Sequence, residues 1–550
     1  MRRPSLIAGA LVAVGLAWSL LAALSLQLGG VTWDEMFDFE GVNGAFWHGV
    51  NWLKGANPDL ATITFDLEWF GNATRWPTYL FWRLLMIVPW EQVATLSRTQ
   101  VVLLSGYFSL NHLNAMAFAL AGIGLTAALA WRLGGRRAGV VAGGLLLLLP
   151  TWMGHGWMNS KDIPMATSYL LYTLGTTLLL RRERGGAALR VMGIALMAGS
   201  RVSSLAFIAV GEALLLAWEG RRRPKRWLGS LAGGLLLGWL LTPQAWGDPF
   251  GYPRQAMAFI STRQGAGDGL ATLRYLAANL LDLLPSPLLL GLALLAWGGL
   301  ASALGRGGGP ASGPEDPSGP QRRSPLPPPR TIPSVPRNPS GSLPPVPPSL
   351  PTVMQLLIPA VLLILGGKSL YNELRHLMMI QPPLCVLAAL GYARAPRRLL
   401  RVVAPLAAVA TLVLVAELLL LHPYQYTYRG DLARLLPGNG SPPLRADYWG
   451  YSGRETLSRC LKQPACATAL AQRPLRVIDN SLNAELVEAS ANLLRPPPPG
   501  GRDALLISTL PGTLKGLDPL AATSRLTLLP RPQSSLLSAI APAREQMAEP

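Results

Sequence analysis

Residues 31–49 read VTWDEMFDFEGVNGAFWHG and closely follow the first long apolar run, residues 6–28. Asp34 and Glu35 are adjacent carboxylates, Asp38 lies four residues after Asp34, and Trp33, Phe37, Phe39, Phe46 and Trp47 surround them. Carboxylates are costly to desolvate. Acids among aromatics at the mouth of an apolar helix are therefore either a solvated helix end with interfacial rings or a functional site. The apolar run exceeds the ~7–15 residues of a signal-peptide core, so it reads as a retained membrane span. Arg2 and Arg3 put its start in the cytoplasm, and the acidic stretch then emerges on the far side.

The rest of the chain supports a membrane class. Of 550 residues, half are hydrophobic and only 14% are charged, against about 25% in soluble domains. The net charge of +19 comes largely from arginines clustered between apolar runs, as in cytoplasmic loops. No DNA- or RNA-binding signature accompanies them, which argues against a nucleic-acid partner. Cys385 lies in an apolar run, whereas Cys460 and Cys466 sit in the polar tail. An extracytoplasmic tail would let the latter two pair. They lack the second Cys or His pair that a zinc site needs.

Counting basic clusters predicts an α-helical polytopic membrane protein of about eleven transmembrane helices. Its N-terminus is inside and its C-terminus outside. Residues 1–304 form the N-terminal bundle, with a long first outer loop at 31–111. That loop carries eight acids against Lys54, Arg75, Arg83 and Arg98. Its apolar stretch 76–90 is too short to span and reads as an interfacial helix. Residues 188–218 have basic flanks at both ends, so two short helices hinged near residues 200–203 are expected. Residues 305–352 form a Pro/Gly-rich cytoplasmic linker, with eleven prolines among residues 321–350. Residues 353–421 complete the transmembrane helices. The tail, 422–550, reads as a small extracytoplasmic α/β module with strands near 476–479, 504–509 and 525–530 and a helix over 481–494.

This topology gathers three polar islands on the outer face. The first holds Asp34 and Glu35. The second, residues 154–172, holds Lys161 and Asp162; the third, 366–376, holds Lys368, Arg375 and His376. Asp162 before Pro164 also suits a helix cap, and Arg201 suits a structural ion pair in the bundle. A carboxylate base and several cations suit one reaction class. An acceptor hydroxyl is deprotonated, a sugar leaves a lipid phosphate, and the cations stabilise the departing anion. No cofactor is required. A divalent metal is compatible with the site but not indicated, since no dense ligand set is visible.

VTWDE followed by aromatics resembles the first-loop acidic motif of the C-type glycosyltransferase superfamily. It is most similar to family 39, the protein O-mannosyltransferases and their bacterial aminoarabinose-transferase relatives. GHGWMNSKDIPM (154–165), AGSRVSS (198–204), AWGDP (245–249), YNELRHLMMIQPPL (371–384), HPYQYTY (422–428) and DYWGYSGRETL (447–457) resemble a bacterial branch in the same order. The resemblance implies a GT-C-type bundle of the inner (plasma) membrane with an extracytoplasmic active site. It implies Asp34 as catalytic base or acceptor-binding acid with Glu35 as partner, Asp162 as a second functional acid, and a polyprenyl-phosphate sugar as donor. Lys161, Arg201 and Arg375 are then donor-phosphate contacts. RWPTYLFW (75–82) departs from the His- or Lys-Pro-Pro sequence of relatives, so Arg75 takes the basic role there, with His376 a further acceptor or interface residue. The alternatives are a lipid-linked sugar flippase or transporter, which needs charges deep in the bundle and repeated halves, and a catalytically silent scaffold.

Overall fold

In the computed structural model the described residues are 3–29, 32, 35–56, 60, 63, 69, 71–85, 106–217, 224–263, 268–305, 347–366, 375–435, 447, 450–472, 475–477, 505–508, 519–527 and 533–542. Most of the expected linker and the expected helix at 481–494 lie outside them. Among the described residues, four helical stretches are long and apolar enough to cross a membrane: Tyr107–Leu147, Asp162–Leu180, Leu377–Arg394 and Arg397–Leu421.

The chain opens with α1 (Arg3–Leu28), α2 (Glu35–Leu53) and α3 (Trp76–Leu85). Helix α3 was expected in the interface. One of its faces instead packs inward, where Tyr79 and Trp82 are buried against Phe39 of α2 and Tyr107. Its other face leaves Leu80, Phe81, Leu84 and Leu85 exposed, as an amphipathic helix would. Helix α4 (Tyr107–Leu147) is a helical pair broken at Gly135, and the short α5 (Pro150–Gly156) follows it.

Helices α6 (Asp162–Leu180) and α7 (Gly186–Ser200) form the central antiparallel pair. They meet backbone to backbone: a Cβ on Gly193 would lie 2.4 Å from the Tyr172 nitrogen. Small residues permit such a crossing where packing, rather than water exclusion, drives association. Helix α8 (Ser204–Leu215) continues from α7 after a break, and α9 (Pro224–Leu240) packs on α7. The α7–α8 pair is tied by a buried ion pair, Arg190–Glu212. Tyr172 Oη donates to Glu212 at 2.6 Å and Trp227 Nε1 at 2.8 Å, so the acid is solvated by protein.

Two further helices follow, α10 (Gly251–Arg263) and α11 (Gly269–Leu280). Helix α12 (Ser286–Gly305) packs on α14 (Gln381–Arg394), while α13 (Leu350–Leu365) leans on the 3-10 turn Arg375–Ile380. Helix α15 (Arg397–Leu421) leads to the short α16 (Asp431–Leu435).

Beyond residue 446, α17 (Gly453–Lys462) and α18 (Pro464–Gln472) are joined by a Cys460–Cys466 disulfide. Four strands follow: β1 (Leu475–Val477), β2 (Leu505–Ser508), β3 (Ala521–Thr527) and β4 (Gln533–Pro542). They form one sheet in the order β1-β2-β4-β3, parallel only between β1 and β2. Strand β3 begins before the expected 525–530, and β4 was not expected. Its serine-rich start, QSSLLS, lacks a clean alternation.

Among the described residues this last unit touches the bundle at several places, Tyr426 Oη donating to Asp447 among them. Arg525 pairs with Glu455 at 2.6 Å, and Glu455 accepts from Tyr424 Oη at 2.7 Å. Tyr451 Oη donates to the Ser25 carbonyl at 3.3 Å, and Arg454 donates to the Leu26 and Gly29 carbonyls at 3.2 and 3.3 Å. The end of α1, directly before the acidic stretch, is therefore held from the far end of the chain.

Candidate active site

Helix α2 begins with a sequence that caps itself. In TWDE (32–35) the Glu35 carboxylate reaches back to accept the Thr32 N–H at 2.7 Å, half of a capping box. The same carboxylate accepts from Asn111 Nδ2 at 3.2 Å and lies 2.9–3.0 Å from His112 Nε2, both on α4. Glu35 is 1% exposed. Its oxygens are thus engaged in fixing the start of α2 to α4. Asp34 precedes it in sequence and lies outside the described residues, as does Lys368 and the side chain of His376.

One helical turn on from Glu35, Asp38 is the hub of the site. Its Oδ1 lies 2.6 Å from Lys161 Nζ and 3.1 Å from Arg75 Nη2, and its Oδ2 accepts from Ser160 Oγ at 3.0 Å. Asp38 and Arg75 are buried, while the Lys161 side chain keeps 20% exposure. Arg75 is aimed by Asn72, whose Oδ1 accepts from Nη1 at 2.8 Å. Its Nε is buried without a hydrogen-bond partner.

The turn before α6 is built around Asn159. Its Oδ1 accepts the N–H groups of Lys161 and Asp162 at 3.0 and 2.8 Å. Asn159 therefore does the capping that was one reading of Asp162. The Asp162 carboxylate is left for side chains: it accepts from Asn159 Nδ2 at 2.9 Å and forms an ion pair with Arg201. Arg201 sits in the break between α7 and α8 in extended backbone, φ −142° and ψ 114°, with 28% of its side chain exposed.

The Arg75 loop is docked on that break. Ala73 N–H donates to the Gly199 carbonyl at 3.0 Å, and Ser200 Oγ lies 3.3 Å from Thr74 Oγ1. A Cβ on Gly71 would meet the Gly199 oxygen at 2.2 Å, so the approach needs glycine. Arg75, Lys161, Asp162 and Arg201, expected on three separate stretches, thus form one continuous cluster around Asp38. Among the described residues, the three cations Arg75, Lys161 and Arg201 pair with the two carboxylates Asp38 and Asp162. Arg375 is buried on the Arg375–Ile380 turn, which packs on α6 and α13, a different element from those of the cluster.

Asp38 was quoted in the sequence but carried no role. The available signal was its place one turn after Glu35 on a helix already pinned by its cap. Among the described residues, no three His, Cys, Asp or Glu side chains are grouped to hold a metal.

No family model matches the chain, and no curated protein matches it. Along its length the chain is similar to two solved structures of ArnT from Cupriavidus metallidurans. One, bound to undecaprenyl phosphate, is 15% identical over 98% of this chain and 99% of that one, with a TM-score of 0.44. The other, in the apo state, is 16% identical over 99% and 100%, with a TM-score of 0.43.

Proposed function

We propose that this chain is an integral membrane glycosyltransferase, transferring a sugar from a polyprenyl-phosphate donor to a hydroxyl acceptor at the outer face. The observation that carries it is the Arg75–Asp38–Lys161 cluster with Arg201 beside it. Two of its cations, Lys161 and Arg201, keep an exposed edge while their acids are buried. An anionic group arriving there meets the exposed edges of Lys161 and Arg201, cations held rigidly by Asp38, Asp162 and Asn159. With the expected eleven crossings and the N-terminus inside, the cluster would face outward, and the sequence resemblance to family 39 supports a lipid-phosphate donor.

In this reading Asp34 is the base. It takes the acceptor proton, the acceptor oxygen bonds the anomeric carbon, and the bond from that carbon to the phosphate oxygen breaks. The electron pair goes to the phosphate, whose new charge falls to Lys161, Arg201 and Arg75. The leaving group is an anion, so no general acid is needed. A single displacement inverts the anomeric centre. Glu35 is a positioning residue, since its oxygens hold Thr32, Asn111 and His112. Arg375 and His376 remain proposed contacts at the edge of the site.

The transporter alternative needs functional charge deep in the bundle. The buried Arg190–Glu212 pair is instead bound on both sides by Tyr172, Trp227 and Ser230, and only Arg190 Nε among its hydrogen-bonding atoms lacks a partner among the described residues. The test is the lipid-linked sugar pool of cells expressing the wild type or Asp34→Asn at equal abundance. Wild type should consume a polyprenyl-phosphate sugar and Asp34→Asn should not. Equal consumption by both overturns the assignment.

A further inference from the structure

Helix α7 has a second feature at its other end. A surface cavity of about 470 Å³ opens between the last turn of α6 and the first turns of α7 and α9. Its rim carries Arg184, Lys225 and Arg226, and its walls include Leu179 and Val191. The three cations are exposed and make no ion pair with any described residue. Glu183 also lines the cavity, but its carboxylate is already taken by Arg132 at 2.6 Å and Arg181 at 2.7 Å. Ser230, at the edge of the cavity, is bound to the buried Arg190.

The rim therefore holds uncompensated positive charge, which the first-turn N–H groups of α7 and α9 reinforce. The walls carry the apolar Leu179 and Val191, and outward along the Lys225–Gly229 face of α9 the apolar Leu236 is exposed, as is Met192 beside Val191 on α7. A basic head pocket that opens onto an apolar track matches a phosphate group attached to acyl chains. A soluble phosphate would use the rim and leave the track uncovered.

We infer that this cavity binds the phosphate headgroup of an anionic membrane phospholipid, at the opposite end of α7 from the Arg201 cluster. With ~1.5 Å of rise per residue, the 15 residues of α7 separate the two sites by roughly 20 Å. The site is distinct from that of the proposed donor, and its test uses no sugar transfer.

The full-length protein is reconstituted in nanodiscs of phosphatidylcholine doped with phosphatidylglycerol, and the lipids retained on release are measured by native mass spectrometry. Each juxtamembrane cation adds roughly fivefold to anionic-lipid binding, so wild type should retain phosphatidylglycerol at least about tenfold over phosphatidylcholine. Arg184→Gln/Lys225→Gln/Arg226→Gln should reduce that preference to near unity. Lys225→Gln alone should produce a smaller fall in the same direction. All three side chains are exposed, so thermal stability in pure phosphatidylcholine should be unchanged. Equal retention by the triple variant, or no preference in wild type, overturns the inference. Displacement of the lipid by millimolar inorganic phosphate also overturns it and assigns the cavity to a soluble anion.

Discussion

Lys161 Nζ lies 2.6 Å from Asp38 Oδ1, joining the turn before α6 to the first turn of α2. Asp38 is 3% exposed and is shared with Arg75, so its loss leaves two cations without their counter-charge. Breaking such a buried pair costs roughly 3–5 kcal/mol, and partial exposure of Lys161 puts Asp38→Asn at the low end. A double-mutant cycle of Asp38→Asn with Lys161→Met should show coupling of about 1 kcal/mol or more in thermal unfolding. Additive effects would show that the two do not act as a unit.

Arg201 reads the same cluster from the other side. Arg201→Lys keeps the charge but replaces a planar fork with a point charge. Its thermal stability should stay near that of wild type. Removing one donor aimed at developing charge costs roughly 10²–10³ in rate, so Arg201→Gln should lower kcat by about that factor, with Arg201→Lys in between. A change confined to KM would make Arg201 a ground-state contact only.

Gly71 tests whether the Arg75 loop must rest on the α7–α8 break. Its added Cβ would strike the Gly199 carbonyl oxygen, a backbone atom that cannot move aside. Gly71→Ala should therefore displace Arg75 from Asp38 and abolish transfer while the helical content by circular dichroism is retained. Overpacking of this kind typically costs about 1–3 kcal/mol. Wild-type activity in Gly71→Ala would show that the docking is incidental.

The tail contact sets an acid limit. Burial lowers the His422 pKa to about 4, with Arg525 adding to the effect. Its unfolded value is about 6.5. The folded state thus binds fewer protons than the unfolded chain, so this stability is full above pH ~6.5 and falls as pH drops towards 4. Burial raises the Glu455 pKa, but Arg525, Tyr424 and Arg459 outweigh it and hold it below its ordinary value. Glu455 therefore stabilises above its unfolded pKa and ceases to do so as pH falls further. Asp447, pushed up by burial, acts in the opposite sense within the carboxylate range and leaves the upper window to His422. Melting temperatures from pH 7.5 to 5 should fall for wild type and flatten in His422→Gln. An unchanged slope in the variant would remove His422 from the account.

Much of this architecture is legible in the residues. Basic clusters on both sides of 188–218 require a reversal, and the break falls at Arg201, between α7 and α8. GHGWMNSKDIPM contains its own turn, because Asn159 two and three residues before Lys161 and Asp162 can cap both. The hub could not be read the same way. Asp38 differs from Glu40 only in which side of α2 it occupies, and that depends on Lys161, far along the chain. The buried Arg190–Glu212 pair was equally silent, since each residue alone looks like a polar interruption of an apolar run. Strand β4 escaped because its pairing with β3 and β2, rather than its own alternation, makes it a strand.

The grip of Tyr451 and Arg454 on Ser25, Leu26 and Gly29 has a temporal consequence. A ribosome makes the clasped segment first and the clasp more than four hundred residues later. Every intervening helix must be inserted before the two can meet. The residues that lead into the acidic stretch are therefore secured only after the segment around Tyr451 and Arg454 has been made, and a chain halted before it lacks the part that holds that stretch in place.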